Sequence, residues 1–146
     1  MTEKTYAYFD TSTWLKLYVR ERGSEEARDL AREHQSFSSA ILLIECLSAL
    51  SQKWLAGEIG GKGLNRLIKM IKTDINSLEI IHITDTVLDK AQEIVLQRPA
   101  RPMDAIHIAS ALTFQEMADV SFVFITSDRK QYDVAMEMGL NSIFVI

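Results

Sequence analysis

Short runs rich in aromatic and β-branched residues alternate along this chain with longer stretches of helical period, and that alternation constrains the fold more than any other feature. The short runs are Tyr6–Phe9, Leu78–Ile83, Phe122–Thr126 and Ser142–Ile146, with Phe37–Ser39 as a weaker candidate. Apolar side chains on successive residues suit strands covered on both faces. The helical stretches are Glu25–His34, Ile41–Ala56, Leu64–Ile75, Thr84–Arg98, Met103–Met117 and Arg129–Met138. Ser24 and Thr84 are placed to cap helices with their hydroxyls, and Pro102 suits a first helical position. Gly57, Pro99 and Gly139 stand where helices should stop. Strands joined by connections of helix length pair in parallel. The expected fold is therefore α/β, with a central, mostly parallel sheet of four to five strands covered by helices.

A chain of 146 residues fits one domain, taken as residues 1–146. Its 47% hydrophobic and 25% charged residues exclude disorder as the dominant state. The net charge of −4 excludes a general polycation for nucleic acid, though not a local basic patch. Cys46 is the only cysteine, so there is no internal disulfide and no zinc site built on paired thiolates, which suggests a reducing compartment. Met1–Lys4 is polar and shows no leader pattern. The longest apolar-rich run, Ala40–Leu50, is interrupted by Glu45 and Ser48 and falls short of the roughly 20 residues that span a bilayer. The expectation is a soluble, cytoplasmic protein with no membrane partner.

Four acids stand out. Asp10 follows the first strand and Asp128 follows the run Phe122–Thr126. In a parallel sheet all carboxyl ends share one edge, where ligands bind, so these two should share a rim. Each also has a simpler reading as the cap of the next helix. Glu45 lies in the apolar stretch Ala40–Leu47, where a charge is costly unless paired or metal-bound. Ser38, Ile41, Ser48, Ala49 and Gln52 are read onto its face, and Arg101 is its candidate ion-pair partner. Asp104 falls in the first turn of the helix after Pro102, which the helix dipole also favours. His107, three residues on, shares its face and suits a packed histidine better than a metal or phosphate ligand. Carboxylates gathered on one rim repel each other and call for cations. Oxygen-only ligands select Mg²⁺ or Mn²⁺, ions that act on phosphate esters.

Together these segments resemble the PIN domain family. Tyr8-Phe9-Asp10-Thr11-Ser12 is similar to the opening of PIN domains, and Glu45 in its apolar helix to their second acid. The stretch Arg101 to Leu112 is similar to their third-acid helix, and Ile125-Thr126-Ser127-Asp128-Arg129 to the fourth-acid segment. Size and motif wording look like the VapC-type toxins of toxin–antitoxin pairs. The resemblance implies a three-layer α/β/α fold with helices on both faces of the sheet. It implies an endoribonuclease dependent on Mg²⁺, with Mn²⁺ as the alternative, an RNA substrate, a homodimer and a small antitoxin protein that blocks the site. Carried over, the catalytic and metal-binding acids are Asp10, Glu45, Asp104 and Asp128. Thr11, Ser12, Thr126 and Ser127 would hold water or orient carboxylates, and Arg101 joins them as a supporting residue. Asp133 reads as a solvated acid on the last helix.

Two other readings compete. A phosphatase of the haloacid dehalogenase type would use Asp10 as nucleophile, but it needs a second Asp where this chain has Ser12. A PIN-like fold could also serve as a catalytically inactive binding module. For an RNA grip, Lys62, Arg66, Lys69 and Lys72 fall on one helical stripe opposite Leu64, Leu67, Ile68, Ile71 and Ile75, a pattern that an ordinary solvated face explains as well. Arg129 and Lys130, beside Asp128, are a second candidate pair. Trp14, Tyr18 and Trp54 suit either an interface or the core.

Overall fold

The computed structural model describes residues 5–146. Its sheet holds β1 (Thr5–Phe9), β2 (His34–Ser39), β3 (Glu79–Ile81), β4 (Phe122–Thr126) and β5 (Ser142–Phe144). The strands lie in the order β3-β2-β1-β4-β5, and every pairing is parallel. The expected α/β sheet is thus present with all five strands. The helices are α1 (Thr11–Trp14), α2 (Ser24–Glu33), α3 (Leu42–Leu55), α4 (Gly61–Ile75), α5 (Asp85–Gln97), α6 (Pro102–Ala118) and α7 (Arg129–Glu137), and a 3-10 turn over Leu15–Leu17 follows α1. Among the described residues, no helix is long and apolar enough to cross a membrane.

Strand alternation divides the core into two layers. Tyr8, Phe37, Phe122 and Phe124 pack with Val87 and Ile94 of α5, Ala105 to Phe114 of α6 and Ala135 of α7. Tyr8 stacks on Phe124 at 5.0 Å, and Phe37 lies 4.0 Å from Phe114. Ala7, Phe9 and Ile125 point the other way, onto Trp14, Leu42, Cys46, Leu50 and Ile71. Burial of apolar area stabilises by about 25 cal/mol per Å², and the central strands β1 and β4 supply buried side chains to both layers.

Several boundaries differ from the sequence reading. Ser24 does not cap α2: the cap is Gly23, and the Ser24 hydroxyl accepts from the Glu21 amide and donates to the Val19 carbonyl. Gly23 has φ +90°, and a Cβ there would run into the Ile146 carbonyl oxygen, so only glycine fits. His34, expected to end α2, opens β2 instead, and β2 extends three residues before the expected Phe37. Strands β3 and β5 are shorter than expected, ending at Ile81 and Phe144. Thr84 caps α5 through Val87 N and Pro102 opens α6, both as expected.

Candidate active site

The carboxyl ends of the parallel strands share one edge, and a cleft of about 610 Å³ opens there. Asp10, Glu45, Asp104 and Asp128 all contribute to its walls. They come from the end of β1, from α3, from the first turn of α6 and from the cap of α7. The fold therefore brings the four sequence-predicted acids to one cleft, and each is presented by a different element.

Asp10 is 3% exposed, and both its oxygens accept hydrogen bonds. Oδ1 accepts from Ser12 Oγ at 2.7 Å and from the Thr13 amide at 3.1 Å, which makes Asp10 the cap of α1. Oδ2 accepts from Thr126 Oγ1 at 2.5 Å and from Gln131 Nε2 at 3.3 Å. The capping reading and the rim reading thus hold together. Burial raises the Asp10 pKa, opposed by the charge of His107 and by the bonds from Thr126, Ser12 and Thr13.

Glu45 does not bond to the candidate partner Arg101. Its Oε1 accepts from Thr11 Oγ1 at 2.7 Å and from His107 Nε2 at 2.6 Å, whereas Arg101 pairs elsewhere. A carboxylate only accepts, so Nε2 carries a proton, and Nδ1 shares a hydrogen bond of 2.6 Å with the Tyr8 hydroxyl. His107 is 2% exposed and packs edge-on against Tyr8. Burial pushes the Glu45 pKa up, but the His107 bond and charge, with Thr11 behind them, carry it below the usual carboxylate value. Ser48, Ala49 and Gln52 line the cleft with Glu45 as expected, but Ser38 stands on β2 and Ile41 precedes α3. Cys46, beside Glu45, is buried in the core, and its thiol pKa is raised to about 12 by burial and by Glu45 and Asp10.

Arg101 is the cap residue of α6, and its side chain bridges the remaining two acids. Nε donates to Asp104 Oδ2 at 2.7 Å and Nη2 to Asp128 Oδ2 at 2.5 Å. Asp128 Oδ1 also caps α7 through the amides of Lys130 and Gln131. Burial raises the Asp104 pKa and the Asp128 charge adds to it, while Arg101 pulls the other way.

The supporting hydroxyls tie α1 to the end of β4. Ser12 Oγ accepts from the Ser127 amide, Thr126 Oγ1 accepts from the Asp128 amide, and the hydroxyls of Thr13 and Ser127 lie 3.0 Å apart. Gln131 and Tyr8 were not singled out in the sequence. The signal for Gln131 is its place one turn after Asp128. For Tyr8 it is strand alternation, which turns its side chain toward α6.

The basic candidates separate. Lys62, Arg66, Lys69 and Lys72 are exposed on α4, with Ile71 buried opposite, and none of them lines the acid cleft. Lys130 lines an adjoining cavity of about 320 Å³ that shares Arg101, Asp104 and Gln131 with the cleft. The Arg129 guanidinium lies over the rings of Tyr132 and Phe144 and reaches Asp133, a solvated acid as expected. Trp14 is core and Tyr18 donates to Asp74, whereas Trp54 is 46% exposed.

A hard divalent cation fits this donor set in kind, since the acids offer only carboxylate oxygen. The spacing is less ready: among the described residues, no three His, Cys, Asp or Glu side chains stand together as a metal cluster. Arg101 occupies Asp104 and Asp128, and His107 and Thr11 occupy Glu45.

No curated protein sequence matches the chain. Among solved structures, the fold is similar to that in FitAcB from Neisseria gonorrhoeae, at TM-score 0.71 and 14% identity over 94% of this chain and 96% of that one. It is also similar to the DNA-bound VapBC of Salmonella typhimurium, at TM-score 0.65 and 15% identity over 99% and 100% of the two chains. A toxin–antitoxin complex from Klebsiella pneumoniae matches at TM-score 0.61 and 17% identity over 86% of this chain and 89% of its own. At such identities the likeness is one of fold. The PIN domain family matches residues 7–137, nearly the whole chain, and the three-layer α/β/α architecture agrees with it, so the chain belongs to the PIN domain family.

Proposed function

We propose that this protein is a metal-dependent endoribonuclease and the toxin of a type II toxin–antitoxin pair. The observation that carries the reading is the convergence of Asp10, Glu45, Asp104 and Asp128 on one cleft at the carboxyl edge of the sheet. Membership of the PIN domain family, whose members are generally nucleases, supports it. The similar solved structure from Klebsiella pneumoniae is described as a toxin–antitoxin complex, which supports the toxin assignment.

The acids would hold Mg²⁺ or Mn²⁺, which polarises a phosphoryl oxygen and activates water when bound. Everything else is supplied by the chain. Ser12, Thr126 and Gln131 fix both oxygens of Asp10, so its carboxylate is oriented before substrate arrives. Thr11 and His107 hold Glu45 ionised and aimed at the cleft. Lys130, on the adjoining wall, is placed to meet the RNA backbone. Hydrolysis of this kind leaves 5′-phosphate and 3′-hydroxyl ends and makes no use of the RNA 2′-hydroxyl as nucleophile.

The toxin reading carries with it a homodimer, an antitoxin that occupies the acid cleft, and a place of action in the cytoplasm. A monomer at micromolar concentration in sedimentation would contradict the dimer. The catalytic reading is tested by incubating RNA with the protein in Mg²⁺, in Mn²⁺ and in excess EDTA, beside a phosphomonoester. Cleavage of RNA alone, abolished by EDTA, is expected. Phosphomonoester hydrolysis would point to the phosphatase reading, and inertness toward both substrates to a binding module.

A further inference from the structure

Among the described residues, Arg101 is the one lysine or arginine in the wall of the acid cleft. Its two bonds use Nε and Nη2, which lie along one edge of the guanidinium. That edge is the fork with which arginine grips a phosphate or carboxylate in two-point fashion. Here each prong holds a different acid, Asp104 at 18% and Asp128 at 28% side-chain exposure, while Arg101 itself is 67% exposed. An ion pair that open to water is individually weak and exchanges readily. The backbone beneath it is stiffer: Pro99 and Pro102 flank the residue, and α6 begins at Pro102.

We infer that Arg101 is a built-in counter-cation that competes with a divalent metal for Asp104 and Asp128 and, once released, turns its fork to the RNA phosphate. The inference rests on the metal-nuclease reading above. The geometry sets up the competition: the Oδ2 atoms of both acids accept from the guanidinium, and Asp128 Oδ1 is engaged by the Lys130 and Gln131 amides. A cation drawn to the pair meets the Arg101 charge there, and taking either Oδ2 displaces one prong of the fork. Released, it remains tethered at the mouth, beside the cavity that Lys130 lines. Two basic groups would then face an incoming phosphodiester, and metal loading and substrate capture become linked through one side chain.

The test is calorimetric titration of Mn²⁺ into metal-stripped wild type, Arg101→Gln, Arg101→Lys and Asp104→Asn. Because the Arg101 side chain is mostly solvent-exposed, its replacement leaves no core void, and circular dichroism confirms the fold. Arg101→Gln should bind Mn²⁺ about tenfold more tightly than wild type, a change on the scale of one unit charge removed beside the site. Arg101→Lys should fall between them, and Asp104→Asn should bind more weakly than wild type. At saturating Mn²⁺, Arg101→Gln should show a raised KM for RNA. Opposite signs on metal and RNA are what an organising, purely structural arginine would not produce. Mn²⁺ binding by wild type that Arg101→Gln leaves unchanged or weakens would overturn the inference and leave the nuclease reading standing. Absence of Mn²⁺ binding by both proteins would overturn both.

Discussion

Asp10 and Glu45 on the floor of the cleft are held by hydroxyls, two amides and an imidazole from α1, β4, α6 and α7, whereas Asp104 and Asp128 at the rim share a single exposed guanidinium. Burial explains the contrast. Asp10 is almost wholly removed from water, so each lone pair left without a donor would cost about 1–3 kcal/mol. The rim acids keep some contact with water and tolerate a looser arrangement. A site built this way is rigid where it must aim and adjustable where charge must enter and leave.

The floor should break hardest. His107→Ala removes a partner of both Glu45 and Tyr8, leaving the buried phenol without its bond to the imidazole and the part-buried carboxylate with Thr11 alone. A loss of about 3 kcal/mol is expected in urea unfolding, as for other broken buried pairs. A loss under about 1 kcal/mol would show that the His107 bonds are incidental.

A smaller but more discriminating effect lies in pH dependence. Burial opposes ionisation of Glu45, yet His107 and Thr11 leave its folded pKa below the unfolded value. Its contribution to stability is therefore complete above the unfolded pKa of about 4.3 and is lost as pH falls through the folded one. Asp104 goes the other way, raised by burial and by Asp128. Its contribution is complete below the unfolded pKa of about 3.9 and is lost as pH rises through the folded value. In EDTA at neutral pH, Glu45→Gln should melt below wild type by about 1 kcal/mol, with the gap narrowing toward pH 3. Asp104→Asn should melt as high as wild type or higher at neutral pH and lose any advantage in acid. Matching profiles for the two variants would erase the distinction between floor and rim.

Much of this was legible in the sequence because each acid disturbs a local pattern. Asp10 and Asp128 end apolar runs, Glu45 interrupts an apolar helix, and Asp104 follows a proline that opens one. Partnerships were harder to read. Arg101 is a candidate partner for Glu45 and equally for Asp104, three residues away; it pairs with Asp104 and also with Asp128. The Glu45 partner reaches it from 62 residues away, a distance in sequence that no helical or strand period encodes. Helix boundaries within Thr11–Leu17 are not legible in the sequence because one turn of helix and a 3-10 turn are too short to show a period. The start of β2 was missed because α2 runs directly into His34 with no glycine or proline between them, and the strand's first residues are polar.

The smallest effect concerns the RNA grip. Lys130 borders the cavity next to the acids, whereas the α4 stripe lies outside the cleft. Lys130→Glu should weaken RNA binding several-fold in EDTA and reduce the salt slope by about 1. Lys69→Glu with Lys72→Glu should change affinity less than about twofold, as for an ordinary solvated face. A larger loss from the α4 pair would move the RNA path onto that helix.

The central claim, that the four acids form a hydrolytic nuclease site, is tested most directly by mapping the ends of RNA cut in Mg²⁺ by wild type and by Asp10→Asn. The Asp10 carboxylate is buried among fixed donors, and Asn preserves its shape. Wild type should leave 5′-phosphate and 3′-hydroxyl ends, and the variant should cut at least about a hundredfold more slowly while remaining folded, a loss of about 2.7 kcal/mol in transition-state stabilisation. Products ending in 2′,3′-cyclic phosphate, or full activity in folded Asp10→Asn, would contradict the account.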